Sequence, residues 1–121
     1  EPSIAAMAAI RADETDIKNI LTACEKAEKL LLASKNHVAE DIAFHSAIAL
    51  SSKNIVVPKL VPIINSSIPL ICESTEFPMR DETIETHREI ADAIAAHDAV
   101  RAHDAMYLHL VYNRKYIKSI N

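Results

Sequence analysis

Residues 84–110 read IETHREIADAIAAHDAVRAHDAMYLHL. Apolar residues recur at helical spacing on both sides of His97-Asp98, with Ile84, Ile90, Ala91 and Ile94 before it and Ala102, Met106 and Leu110 after it. One histidine intrudes on each stripe, His87 on the first and His109 on the second. A single unbroken helix would hold these two roughly 33 Å apart, at ~1.5 Å of rise per residue. A turn at His97-Asp98, with Asp98 as the N-cap of a second helix, places each of them about 15–17 Å from the bend and level across an antiparallel hairpin. The reading of this dipeptide decides both the fold and the site.

Working outward, the chain divides into six helical segments. The first runs from Ile4 to about Ala12, with Ala5, Ala8, Ala9 and Ala12 making a small-residue face suited to close packing. Asp13 or Thr15 then caps a long helix through Ile17, Ile20, Leu21, Cys24, Ala27, Leu30 and Leu31, ended by Ser34-Lys35-Asn36. Asn36 caps a third helix over about Val38 to Ser51, whose core stripe runs through Val38, Ile42 and Ala49 with Asp41, Phe44, His45 and Ile48 beside or within it. A fourth, over about Ile55 to Cys72, carries Pro58, Pro62 and Pro69 and is expected to kink, because an internal proline lacks an N–H and clashes with the preceding turn. Asn54 is expected to cap it. A polar loop over Glu73 to Asp81 leads into the hairpin.

The composition excludes whole classes of function. The chain has 121 residues, 50% hydrophobic, and no glycine. Hairpin-rich β folds lean on glycine for their turns, and neither a Walker A loop nor a dinucleotide fingerprint can be written without it. Two Phe, three Tyr and no Trp make a poor stacking platform for single-stranded nucleic acid, and a net charge of −4 with dispersed basic residues is no DNA-binding footprint. Cys24 and Cys72 have no ligand spacing and read as small buried hydrophobes. Leu60 to Cys72, the longest uncharged stretch, is too short and polar to span a membrane. No secretory signal is visible, which fits a cytoplasmic protein, and the opening Glu-Pro-Ser reads as a piece of something larger.

Asp41 and His45 lie four residues apart on one helix face, where a carboxylate and an imidazole among apolar neighbours require pairing or a metal. With the break at Asp98, Asp41, His45, His87 and His109 can converge in a bundle core. One carboxylate and three imidazoles without a thiolate suit a divalent ion, zinc first, with nickel, manganese or iron as alternatives that spacing does not separate. The Glu-x-x-His pair of ferritin-type sites and the His-Glu-x-x-His of zincins are both absent. His97 and His103 read as surface residues; His37, one turn before Asp41, reads as solvated at a helix start, with a partner to the ligands as the alternative. Glu40 and Glu85 fall beside the ligands but point outward, which leaves no second acid or base for catalysis.

Taken in order, Asp41-Ile42-Ala43-Phe44-His45, Ser52-Lys53-Asn54, His87-Arg88-Glu89-Ile90-Ala91-Asp92-Ala93-Ile94, Asp98, Ala102, Met106 and His109-Leu110 resemble the effector domain of GntR-family bacterial transcription regulators, the FadR C-terminal (FCD) domain. The resemblance covers nearly the whole chain. It implies an all-α antiparallel bundle of six to seven helices, a single effector-binding and oligomerisation domain over residues 1–121, and a homodimer. It also implies that Asp41, His45, His87 and His109 hold a divalent metal with open positions for water or a small carboxylate effector. Arg11 is a candidate for clamping the effector's far end, against a plain structural ion pair; Arg88 and Arg101 are the other cations available. Operator DNA would be bound only through an N-terminal winged helix-turn-helix domain, for which there is no room before Glu1. The expectation is a non-enzymatic sensor. A metal-dependent hydrolase-like enzyme and a helical interaction domain without metal are the alternatives.

Overall fold

Asp13 starts the longest run of helix in the first half of the chain, and it does so by a reciprocal cap: its carboxylate accepts from the Asp16 N–H at 2.8 Å while the Asp16 carboxylate accepts from the Asp13 N–H at 3.1 Å. The computed structural model describes residues 1–55, 59, 62, 63 and 80–120. Five helices occur among the described residues: α1 (Pro2–Arg11), α2 (Glu14–Leu32), α3 (Val38–Ser51), α4 (Arg80–Ala95) and α5 (Ala99–Ile120). No strand occurs among them, so the all-α expectation holds, and the helices of the described residues alone are fewer than the expected six to seven. The kinked proline-bearing segment expected over 55–72 lies outside the described residues but for isolated positions, and with it the first turn that Asn54 is expected to cap. Asp81 belongs to the first turn of α4 rather than to the preceding loop, where its charge complements the helix dipole.

A chain without glycine still has to make left-handed helix ends. It uses Ser34, Lys53 and His97, with φ of 54°, 56° and 56°. A left-handed residue with a Cβ costs roughly 1–2 kcal/mol, and here the terminal carbonyls gain partners in exchange. At the end of α2 the Lys35 N–H reaches the carbonyl of Leu30 at 2.9 Å and the Ser34 N–H that of Leu31 at 3.1 Å. At the end of α4 the Asp98 N–H reaches Ala93 at 2.8 Å and the His97 N–H reaches Ile94 at 3.0 Å. Asp98 then caps α5, its Oδ1 accepting from the Arg101 N–H at 3.1 Å. The predicted break is therefore real, but its left-handed residue is His97, and Asp98 supplies the cap.

His97 is exposed, as expected, yet it is more than a turn residue. Its Nδ1–H donates to the Ala9 carbonyl at 2.8 Å, pinning α1 to the hairpin. α1 packs against α3, α4 and α5; α2 packs against α3 and α4; and α4 packs against α5. The small face of α1 makes this possible: Ala5, Ala8 and Ala9 are fully buried, and helices meeting over alanine approach at the short end of the usual 8–10 Å spacing. Ile20, Phe44, Ile48, Ile90, Ile94 and Met106 fill the space between. In α3 the buried stripe is Asp41, Phe44, His45, Ile48 and Ala49, while Val38 and Ile42 are half-buried at its margin. The polar pair therefore lies inside the core-facing stripe.

Ser34 is exposed at its left-handed position. Ser34→Gly removes the Cβ penalty there against a smaller loss of unfolded-state restriction, and should raise stability by about 0.5–1 kcal/mol. His97→Gly should gain less, because it also loses the bond to Ala9. Urea denaturation of the two variants checks the order.

Candidate metal centre

Three helices contribute to one polar cluster. α3 brings Asp41 and His45 from adjacent turns, α4 brings His87, and α5 brings His109, and all four side chains are buried. The hairpin at His97-Asp98 sets the register. His87 and His109 meet across it with ring centroids 4.7 Å apart, and His45 lies 5.6 Å from the first and 5.2 Å from the second. One nitrogen from each of His45, His87 and His109 can be chosen so that all three lie within 4.8 Å of one another. Asp41 Oδ1 stands 3.3 Å from His45 Nε2 and 3.5 Å from His87 Nε2. The fourth expected ligand thus adjoins two of the three histidines. Phe44 closes the cluster on its apolar side, its ring 4.6 Å from that of His87.

The hydrogen bonds assign a tautomer to His109. Thr86 Oγ1 lies 2.8 Å from the Glu82 carbonyl and 3.0 Å from His109 Nδ1. The hydroxyl has one proton and gives it to the carbonyl, so its lone pair accepts from His109 Nδ1–H. That leaves the lone pair of His109 on Nε2, available to the cluster, with the Asn113 amide nitrogen donating toward it at a long 3.4 Å. A ring nitrogen fixed by a hydrogen bond while its partner faces inward is the arrangement seen around metal-ligating histidines. His87 differs. Neither of its ring nitrogens has a hydrogen-bond partner among the described residues, though both are fully enclosed. An unsatisfied buried polar group costs about 1–3 kcal/mol. A divalent ion would take the lone pair of one of these nitrogens and satisfy that one, so the donor set present fits the group.

The electrostatics favour neutral imidazoles at two positions. Burial, with His45 and His37 adding repulsion, pushes His87 down to about 4 against the pull of Asp41. Burial also holds His109 well below its ordinary value, helped by the nearby His87 and His45. For His45 burial acts the same way but is outweighed by the hydrogen bond and charge of Asp41, and its pKa is raised. Metals bind the unprotonated ring, so His87 and His109 are ready as donors near neutral pH.

The other anticipated residues take plainer positions. Arg11 Nη1 donates to the Ser52 carbonyl at 3.1 Å, closing the C-terminal end of α3 roughly 16 Å along the helix axis from Asp41. Arg88 pairs with Glu28 at 2.5 Å and Arg101 with Glu89 at 2.9 Å. His103 and Glu85 are exposed, as expected, and Glu40 is half-buried. Cys24 is buried and free, its thiol pushed up to about 11 chiefly by burial. Cys72 lies outside the described residues. His37 departs from expectation: at 3% exposure it is core rather than solvated, its Nδ1–H donating to the Lys35 carbonyl at 3.3 Å. Thr83, Thr86 and Asn113 are the buried polar neighbours that sequence reasoning passed over. A signal existed, since Thr83 lies four residues before His87 and Asn113 four after His109, on the same helix faces.

Below the unfolded-state pKa of about 6.5 the unfolded chain binds protons that buried His87 and His109 refuse, so the metal-free protein should lose stability as pH falls from 6.5 toward 4. His87 alone contributes about 2 kcal/mol of loss between pH 7.5 and pH 5. His45, whose raised pKa favours the folded state at low pH, offsets part of this. Urea midpoints in the presence of chelator should fall over that window, with a shallower slope in His87→Gln.

Comparison with known proteins gives these helices a family. Residues 1–112 match the FCD domain. The solved structure of Streptococcus agalactiae GntR aligns with a TM-score of 0.79 at 33% identity, over 95% of this chain and 53% of that one. The uncharacterized HTH-type transcriptional regulator YcbG of Bacillus subtilis (strain 168) is 34% identical over 91 residues, 74% of this chain and 39% of that protein. The chain therefore spans about half, or less, of the length of these relatives. With a family match running from the first residue to beyond His109, and the same bundle in a solved GntR, the chain belongs to the FCD domain family of GntR-type transcription regulators.

Proposed function

We propose that this chain is the metal-dependent effector-sensing domain of a bacterial GntR-type transcription regulator, binding a small carboxylic acid and so modulating DNA binding by an N-terminal winged helix-turn-helix domain. The observation that carries this reading is the meeting of His45, His87 and His109, buried on three different helices, with Asp41 against two of them and His87 without a hydrogen-bond partner among the described residues. Asp41, His45, His87 and His109 would hold the ion. Zinc suits this nitrogen and oxygen set, and nickel, manganese or iron would also be accepted. Bound there, a divalent cation supplies a positive, Lewis-acidic anchor for a carboxylate.

Sensing follows from where the donors sit. α3, α4 and α5 each contribute, and α1 packs on all three. An effector that binds one relative placement of these helices better than another shifts the population by no more than that difference in affinity. In a homodimer in the cytoplasm, that shift would reach the DNA-binding domains. The two relatives are a GntR and an HTH-type transcriptional regulator, which supports a sensor over a metal-dependent hydrolase-like enzyme. Glu85 is exposed and Glu40 half-buried, so neither is placed to serve as a buried acid or base beside the donors.

Metal analysis of the protein prepared without a histidine tag should find about one equivalent of divalent ion per chain, lost in His87→Ala and in His109→Ala. Small carboxylic acids should then raise the melting temperature of the loaded protein but not of the chelated one. A metal-free wild type that cannot be loaded contradicts the proposal, and turnover of an added ester or amide would favour the enzyme.

A further inference from the structure

One helical turn beyond the histidines, on the side away from the His97-Asp98 turn, lie two polar side chains that the metal reading leaves unexplained. Thr83 precedes His87 by four residues on α4, and Asn113 follows His109 by four on α5. The helices run antiparallel through the hairpin and His87 is level with His109, so Thr83 and Asn113 are level with each other, roughly 6 Å along the axis from the ring pair. Both are buried, Thr83 at 2% and Asn113 at 8% exposure. Thr83 Oγ1 and Asn113 Oδ1 are enclosed and have no hydrogen-bond partner among the described residues.

Such groups are costly. An unsatisfied buried polar atom opposes folding, and Val and Leu would fill the same space without that cost. The amide of Asn113 is aimed at the cluster, its Nδ2 toward His109 Nε2 at 3.4 Å. When that lone pair is given to a metal, the Asn113 N–H loses its acceptor as well. The amide then offers a donor and an acceptor together, and Thr83 adds a hydroxyl level with it. Both side chains are neutral, so neither supplies the cation that a second carboxylate would require. A hydroxyl, which donates and accepts, matches it.

We propose that Thr83 and Asn113 form a neutral polar subsite that selects a hydroxylated monocarboxylate, with the acid group on the metal and a hydroxyl about one helical turn away. This rests on the proposed reading of the histidine cluster as a metal-anchored effector site. Both residues are specificity determinants and neither is a metal ligand.

The test is calorimetric titration of the zinc-loaded 121-residue chain with matched acids: propionate against 3-hydroxypropionate, butyrate against 4-hydroxybutyrate, and pentanoate against 5-hydroxypentanoate. At least one hydroxylated acid should bind about tenfold or more tightly than its parent, since a site built to bond a hydroxyl discriminates strongly against its loss. In Asn113→Leu and in the near-isosteric Thr83→Val the preference should shrink to about twofold, with zinc content and affinity for the parent acid retained. Equal binding within every pair in the wild type overturns the subsite and leaves the carboxylate site standing. An unchanged preference in both variants overturns the assignment to these residues. If no acid binds the zinc-loaded chain, the effector reading fails together with the subsite.

Discussion

Three imidazoles and a carboxylate enclosed in an otherwise apolar bundle set the terms for the rest of this structure. Burial opposes protonation of His87 and His109, which keeps their lone pairs free beside the one negative charge, Asp41, whose proximity raises the pKa of His45. An apolar core of the same volume would fold with less penalty. The arrangement is intelligible as a site, and the helices around it are placed to bring its members together. α3 supplies two donors from one face, and the α4–α5 hairpin supplies the other two elements of the cluster at matching height.

That register depends on a three-residue connection between Ala95 and Ala99. Without glycine, the left-handed residue is His97, and its backbone cost is set against two terminal hydrogen bonds, the Asp98 cap and the bond from its ring to α1. The same residue thus turns the hairpin and ties it to the alanine-faced helix α1. A shift of one residue in this connection would rotate His109 by about 100° and take it off the cluster. Turn geometry and site geometry are one constraint.

Much of this was legible in the residues. The alanine face of α1, the Asp13 cap, the bounds of α3, the break at His97-Asp98 and the approach of His87 to His109 all follow from periodicity and capping chemistry, because each is local or depends only on counting residues from a turn. What escaped was set by neighbours. His37 stands at a helix start, where exposure is the usual outcome, and is buried only because other elements cover it. Ser34 and Lys53 take left-handed conformations that Asn36 and Asn54 would have accepted more easily, since a cap's position is fixed by where packing ends the helix. Thr86, which assigns the His109 tautomer, and Asn113, which approaches Nε2, acquire meaning only once α4 and α5 are docked. The sequence resemblance named the family correctly, but not these partners.

The proposed function turns on whether the cluster is a metal centre. Anomalous diffraction from crystals of the protein loaded with zinc, collected on both sides of the zinc absorption edge, tests it most directly. One strong edge-dependent peak per chain is expected, about 2.0–2.2 Å from a nitrogen of each of His45, His87 and His109 and from a carboxylate oxygen of Asp41. A peak located only at surface groups such as His103-Asp104, or no peak in the core, would contradict it.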